Sequence, residues 1–239
     1  MPQTGLHKPL RVASYNIRKA RGLDQRRDPG RILDVINGLN ADVVALQEAD
    51  RRLGARPSAL CRDLIARETD FEVAPVARND VSLGWHGNAV LLRKGLRAGG
   101  VRHLDLPGLE PRGAVLVEVE RPFKVSVIAT HLGLLRRSRV QQLRVIGEAA
   151  AAQAGPVILA GDFNEWFGTR GMEPLAAQFD IHAPGHSFPS RRPVAALDRI
   201  ALSKGLALRG AGVAKCALAS RASDHLPIWA DVATRPRHH

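Results

Sequence analysis

Short apolar runs recur along the chain, and most of them stop on a polar residue. LRVASYN (Leu10–Asn16) and VVALQE (Val43–Glu48) read as strands, the second of a buried type. Between them Asp28-Pro29-Gly30 opens a helix through Leu39, with Asp28 as cap and Pro29 in the first turn. Ser58 to Arg67 is expected to be helical, and FEVAP follows as a short strand. NAVLLRK, LRAGGVRHL, GAVLVEVE and FKVSVIATH are four strand candidates separated by Gly or Pro, and their succession predicts antiparallel pairing. Ser138 to Ala152 is the best helix, with Val140, Leu143, Ile146, Gly147 and Ala150 on one face. VILAGD is a buried strand and Gly171–Phe179 a short helix, and LDRIALS, LALRGAGV and LPIWADVA close the chain as strands. This mixture predicts two packed sheets covered by helices in one domain, residues 10–233, with tails at 1–9 and 234–239.

Composition leaves that picture standing. The 239 residues are 45% hydrophobic and 24% charged, which excludes disorder and suits a disulfide-free core. Cys61 and Cys216 form no CxxC pair, so neither a zinc ribbon nor a redox motif is present. The start, MPQTGLHKPL, lacks an apolar signal-like stretch, and no run approaches a membrane span, so a soluble cytoplasmic monomer is expected. Charge changes the picture more. Thirty-five Lys and Arg against 23 Asp and Glu give +12, a field that attracts polyanions. The basic residues are mostly scattered arginines, which a solvated surface also explains.

The polar ends of the strands carry the chemistry. Asn16, Glu48 and His131 each end an apolar run, and Asp162 with Asn164 ends VILAG. Asp198 instead precedes a strand, as do Asp224 and His225. If those last strands run opposite to the others, all six clusters meet at one rim. Two like charges about 5 Å apart repel by roughly 3 kcal/mol at an effective dielectric near 20. Glu48, Asp162, Asp198 and Asp224 together would therefore need a cation, and hard oxygen donors favour Mg²⁺ or Mn²⁺.

The ordered set SYN, LQE, GNAVL, ATHLG, GDFN, LDRIALS and SDH, spanning Ser14 to Ile228, resembles the endonuclease/exonuclease/phosphatase superfamily, with deoxyribonuclease- and sphingomyelinase-like features. The resemblance implies a four-layered α+β or α/β sandwich of two mixed β-sheets flanked by helices. It implies Glu48 as a metal ligand, with Asn16 and Asp224 supporting the metal. Asp162 and Asn164 would position water and contact the phosphate. His225, oriented by Asp198, would sit against the phosphate, and His131 would protonate the leaving oxygen or hold the phosphate. Asn88 is expected to line the pocket, and Arg18 and Arg112 are possible phosphate clamps. His86 is the nearest runner-up among the other histidines.

The implied reaction is in-line attack of activated water on phosphorus, diester cleavage favoured over monoester. Whether Asp162 or His225 takes the proton stays open. The partner is a phosphate ester, either nucleic acid or a phospholipid head group. Few aromatics argue against nucleic acid, and LQEAD in place of LQETK argues against abasic-site repair. A phosphomonoesterase is the alternative, and a non-catalytic anion-binding module the remote one.

Overall fold

The computed structural model describes residues 8–235, so the outer parts of both expected tails lie outside the described residues. Two six-stranded sheets face each other. The first contains β1 (Leu10–Asn16), β2 (Val43–Gln47), β3 (Phe71–Val73), β4 (Ala89–Arg93), β11 (Leu206–Val213) and β12 (Ile228–Thr234), in the order β11-β12-β1-β2-β4-β3. The second contains β5 (Ala98–Leu106), β6 (Arg112–Val119), β7 (Val125–His131), β8 (Val157–Asp162), β9 (Phe179–His182) and β10 (Asp198–Ser203), in the order β5-β6-β7-β8-β10-β9. Each sheet has one parallel pair at its centre, β1/β2 and β7/β8, and antiparallel neighbours outside it. The crossovers are α1 (Pro29–Gly38) and α3 (Arg136–Ala151). The expected domain end at residue 233 falls inside β12.

Period-2 alternation places every side chain. On β1, Leu10 and Val12 enter the core between the sheets, whereas Ala13 and Tyr15 pack under the helices. On β7, Val125, Val127 and Ala129 point inward, and on β8 so do Ile158 and Ala160. Both faces of the central strands are buried, which is why they read as continuous apolar runs. A third core lies between the second sheet and α3 with the one-turn α4 (Glu173–Ala176). Asp28 caps α1 by accepting the Arg31 N–H at 2.9 Å.

Three expectations are corrected. NAVLLR does not join the antiparallel succession that follows it: β4 pairs with β2 and β3, and only β5, β6 and β7 form the run in the second sheet. Helix α2 spans Arg62–Glu68, because the N–H groups of Ser58 and Ala59 already donate to Val81 and Ala49. The expected helix Gly171–Phe179 contracts to α4, because Gly171 takes φ +82° and Phe179 starts β9.

Candidate active site

The same alternation that fills the inter-sheet core sets the rim. Continuing the inner-face positions outward gives Asn16 on β1, Gln47 on β2, His131 on β7 and Asp162 on β8. In a strand–helix–strand unit both parallel strands end at the same edge, so Asn16 lies beside Gln47 and His131 beside Asp162, and the Asn16–Asp162 hydrogen bond joins the two edges into one rim. Asp198 opens β10 directly opposite Asp162 in the antiparallel register. The tip of His225, just before β12, reaches the same place. Gly161 in GDFN is required by close approach, since a Cβ there would collide with the Thr130 carbonyl oxygen.

Asp162 sits at the centre and is almost fully buried. Its Oδ2 accepts the Asn16 amide at 3.0 Å and lies 3.4 Å from His131 Nε2 and 3.6 Å from His225 Nε2. Its Oδ1 accepts the Asn164 backbone N–H at 2.9 Å. Asp198 Oδ2 lies 2.8 Å from His225 Nδ1 and accepts the Ser187 hydroxyl at 2.5 Å. Phe188 packs on the His225 ring with centroids 4.9 Å apart.

The two imidazoles are driven apart. Burial alone would pull His225 down, but the carboxylates of Asp198 and Asp162 outweigh it and push the group up to about 10. Burial pushes His131 down to about 3, although Asp162 pulls the other way. At neutral pH the metal-free chain therefore pairs a cationic His225 with a neutral His131 across one carboxylate.

Glu48 stands at the edge of a cavity of about 390 Å³ that Arg112, His86 and His131 also line. It is ion-paired with Lys19, and Arg52 lies 3.8 Å away. Asp224 pairs with Arg18 at 3.3 Å, and Arg112 with Glu110 at 2.7 Å. Asn88 does not line this cavity. It is fully buried, with its amide donated to the Gly113 carbonyl at 2.8 Å, so it ties the loop before β4 to β6. Asn164 donates one side-chain amide hydrogen to the Leu132 carbonyl at 2.8 Å, and its backbone N–H donates to Asp162. Glu48, Asn164, His86 and the whole turn Arg18–Ala20 take left-handed backbone, φ between +47° and +57°. Such strain costs about 1–2 kcal/mol per residue and gathers at functional sites.

Asp162, Asp198 and His225 bring donor atoms within 4.8 Å of one another. The 2.8 Å contact makes Asp198 and His225 a hydrogen-bonded pair, so the trio reads as a dyad beside a carboxylate. Glu48 and Asp224 stand outside that group, each with a basic partner. The donor type suits a hard divalent cation: Glu48 presents carboxylate oxygen, at present ion-paired with Lys19, and no cysteine is among the residues that line its cavity.

Sequence reasoning passed over Lys19, Ser187 and the ion pair of Arg139 with Glu165, joined at 2.7 Å and almost fully buried. Arg139 and Gln142 lie on the packed face of α3, where a polar letter breaks the apolar stripe. Their burial was the only signal available, and it is a tertiary one.

Residues 13–225, which include nearly all of both sheets, match the Endonuclease/Exonuclease/phosphatase family, and the chain belongs to it. By class it is a phosphoesterase. Among proteins of known sequence it is similar to the uncharacterized protein YbhP of Escherichia coli (strain K12), at 28% identity over 97% of this chain and 99% of that one. Zebrafish (D. rerio) TDP2, solved with a single-stranded DNA product, shares the fold with a TM-score of 0.72 at 19% identity, over 94% of this chain and 99% of that chain. The mannosyl-6-phosphatase Bt3783 of Bacteroides thetaiotaomicron does so with a TM-score of 0.71 at 18% identity, over 94% and 99%. Among the described residues no helix is long and apolar enough to cross a membrane.

Proposed function

We propose that the chain is a divalent-metal-dependent phosphodiesterase that cleaves by in-line attack of an activated water. The observation that carries this reading is the buried Asp162 carboxylate with His131 Nε2 and His225 Nε2 at 3.4 and 3.6 Å, the His225 ring being tied to Asp198 at 2.8 Å. Glu48 would hold the cation, Mg²⁺ or Mn²⁺, with Asn16 and Asp224 supporting it. The ion supplies charge neutralisation on the phosphate oxygens.

The chain's own groups then divide the proton work. Asp162 accepts a proton from the attacking water as its oxygen bonds to phosphorus. His225, 3.6 Å from Asp162 and so on the same side of phosphorus, hydrogen-bonds a non-bridging phosphate oxygen, and the alkoxide departs on the opposite side as the ester P–O bond breaks, taking its proton from solvent water. Asp198 and Ser187 hold the His225 ring, and His131, neutral, steadies the phosphate from the other side. Asn16 and Asn164 fix the two oxygens of Asp162. Arg112, which lines the cavity, and Arg18, beside Asp224, would clamp substrate phosphate.

Hydrolysis of an aryl phosphodiester and of the matching monoester, each with and without Mg²⁺ or Mn²⁺, tests the reading. Metal-dependent diester turnover is expected. Glu48→Gln should raise the metal concentration needed, and His225→Ala should abolish turnover in a folded protein. Monoester turnover exceeding diester turnover, or a His225→Ala variant at full rate, would overturn it.

A further inference from the structure

Among the described residues eight large hydrophobic side chains are exposed, and all of them lie on loops at the rim that carries the candidate site. Leu109 tips the β5–β6 hairpin, Leu134 and Leu135 follow β7, and Trp166 and Phe167 follow β8. Leu53, Val81 and Val194 occupy the neighbouring loops. The loops at the opposite end of both sheets carry none. Single exposed hydrophobics are ordinary on any surface, but confinement to one end of the molecule is not.

The tips are also held rigidly. The buried Arg139 guanidinium donates to the Leu134 carbonyl at 2.6 Å and to Glu165 Oε2 at 2.7 Å. Glu165 Oε1 accepts the Phe167 N–H at 2.8 Å. One ion pair thus braces the Leu134–Leu135 tip against the Trp166–Phe167 tip. On the inner side Trp166 meets Phe188 with ring centroids 5.7 Å apart, and Phe188 covers His225. The apolar collar therefore runs from open solvent to the reacting groups.

Charge accompanies it. Arg137, Arg170, Arg191 and Arg192 are exposed on the same loops or at their ends, and none has a carboxylate within 4.0 Å among the described residues. Apolar tips interleaved with unpaired guanidinium groups match an interface that is apolar inside and anionic outside.

We propose that this rim docks on an anionic lipid bilayer, with Leu109, Leu135 and Phe167 entering the interface and the arginines meeting lipid phosphates. Six of the eight exposed side chains are aliphatic. Nucleic acid, which is gripped by stacking on aromatic rings, would reward only Trp166 and Phe167. Docking this rim presents the candidate site to head-group phosphates, yet the binding itself does not depend on the proposed chemistry.

The test is co-sedimentation of the full chain with phosphatidylcholine vesicles, with and without about 30% phosphatidylglycerol, while Trp emission is recorded. Binding to the anionic vesicles is expected, with a blue shift that Trp166→Phe removes. The combined variant Leu109→Ser, Leu135→Ser, Phe167→Ser should bind on the order of tenfold more weakly or worse, and should hydrolyse a soluble aryl diester at the unaltered rate. Absence of vesicle binding overturns the proposal. So does binding that the triple variant retains and salt alone removes, which marks adsorption by charge. Binding of a labelled single-stranded oligonucleotide in place of vesicles overturns it in favour of nucleic acid. Loss of hydrolysis with vesicle binding intact counts against the phosphodiesterase reading alone.

Discussion

Replacing Arg139 by Met should be among the most damaging single changes outside the candidate catalytic groups. Arg139 is 6% exposed and Glu165 3%. The substitution keeps the aliphatic stem on α3 but removes the one cation within 4.0 Å of the Glu165 carboxylate among the described residues, leaving it the Phe167 N–H and the more distant charge of Arg199. It also strips the Leu134 carbonyl of its donor. Breaking a buried ion pair from one side costs about 3–5 kcal/mol, chiefly because the remaining charge stays buried and uncompensated. At about 2–4 °C per kcal/mol for a domain of this size, the thermal midpoint should fall roughly 6–20 °C. Scanning calorimetry with urea unfolding measures both quantities. The double variant Arg139→Met, Glu165→Leu removes the stranded charge as well, so it should recover most of the loss and show strong non-additivity. Recovery should stop short of complete, because Leu134 still lacks its donor. A single variant within about 1 kcal/mol of the parent, or a double variant no better than the single, would refute the account of a buried, coupled pair.

Two further outcomes follow from the imidazoles. In metal-free protein His225 binds its proton more tightly when folded, so its stabilisation is complete below the ordinary value of 6.5 and is lost as pH climbs toward 10. His131 binds its proton less tightly when folded, so its contribution disappears as pH drops from 6.5 toward 3. Urea midpoints across this range should peak near 6.5, with limbs on the order of a few kcal/mol; a His131→Asn variant that keeps the acid limb unchanged would contradict the assignment. Asp198→Asn should lower kcat roughly 10²–10⁴-fold, by analogy with other carboxylate-oriented histidines. It should also shift the His225 titration, followed by NMR, to lower pH, and an unmoved titration would show that Asp198 does not govern that ring.

Much of the site was legible because a strand buried on both faces writes itself as an apolar run, and the polar letter that ends such a run must reach solvent or a partner. Asn16, Glu48, His131 and Asp162 stand out for that reason, as does Asp198 at a strand start. The helix α1, its Asp28 cap and the principal face of α3 rest on local rules of the same kind. What local rules cannot carry is pairing between distant segments. β4 looks like its neighbours in sequence, yet its register belongs to β2, so the local pattern extends the antiparallel run one strand too far. Asn88 looks like a pocket residue, but the carbonyls of Gly113 and Trp85 claim its amide. Arg139 and Glu165 are ordinary charged letters until folding buries them against each other, and the collar of exposed Leu, Trp and Phe side chains exists only once separate loops share an edge. The chain by itself determined which residues could do chemistry, through composition and period. Which of them touch, and which are spent on holding the others, was decided by contacts between residues remote in sequence, for which the local pattern holds no signal.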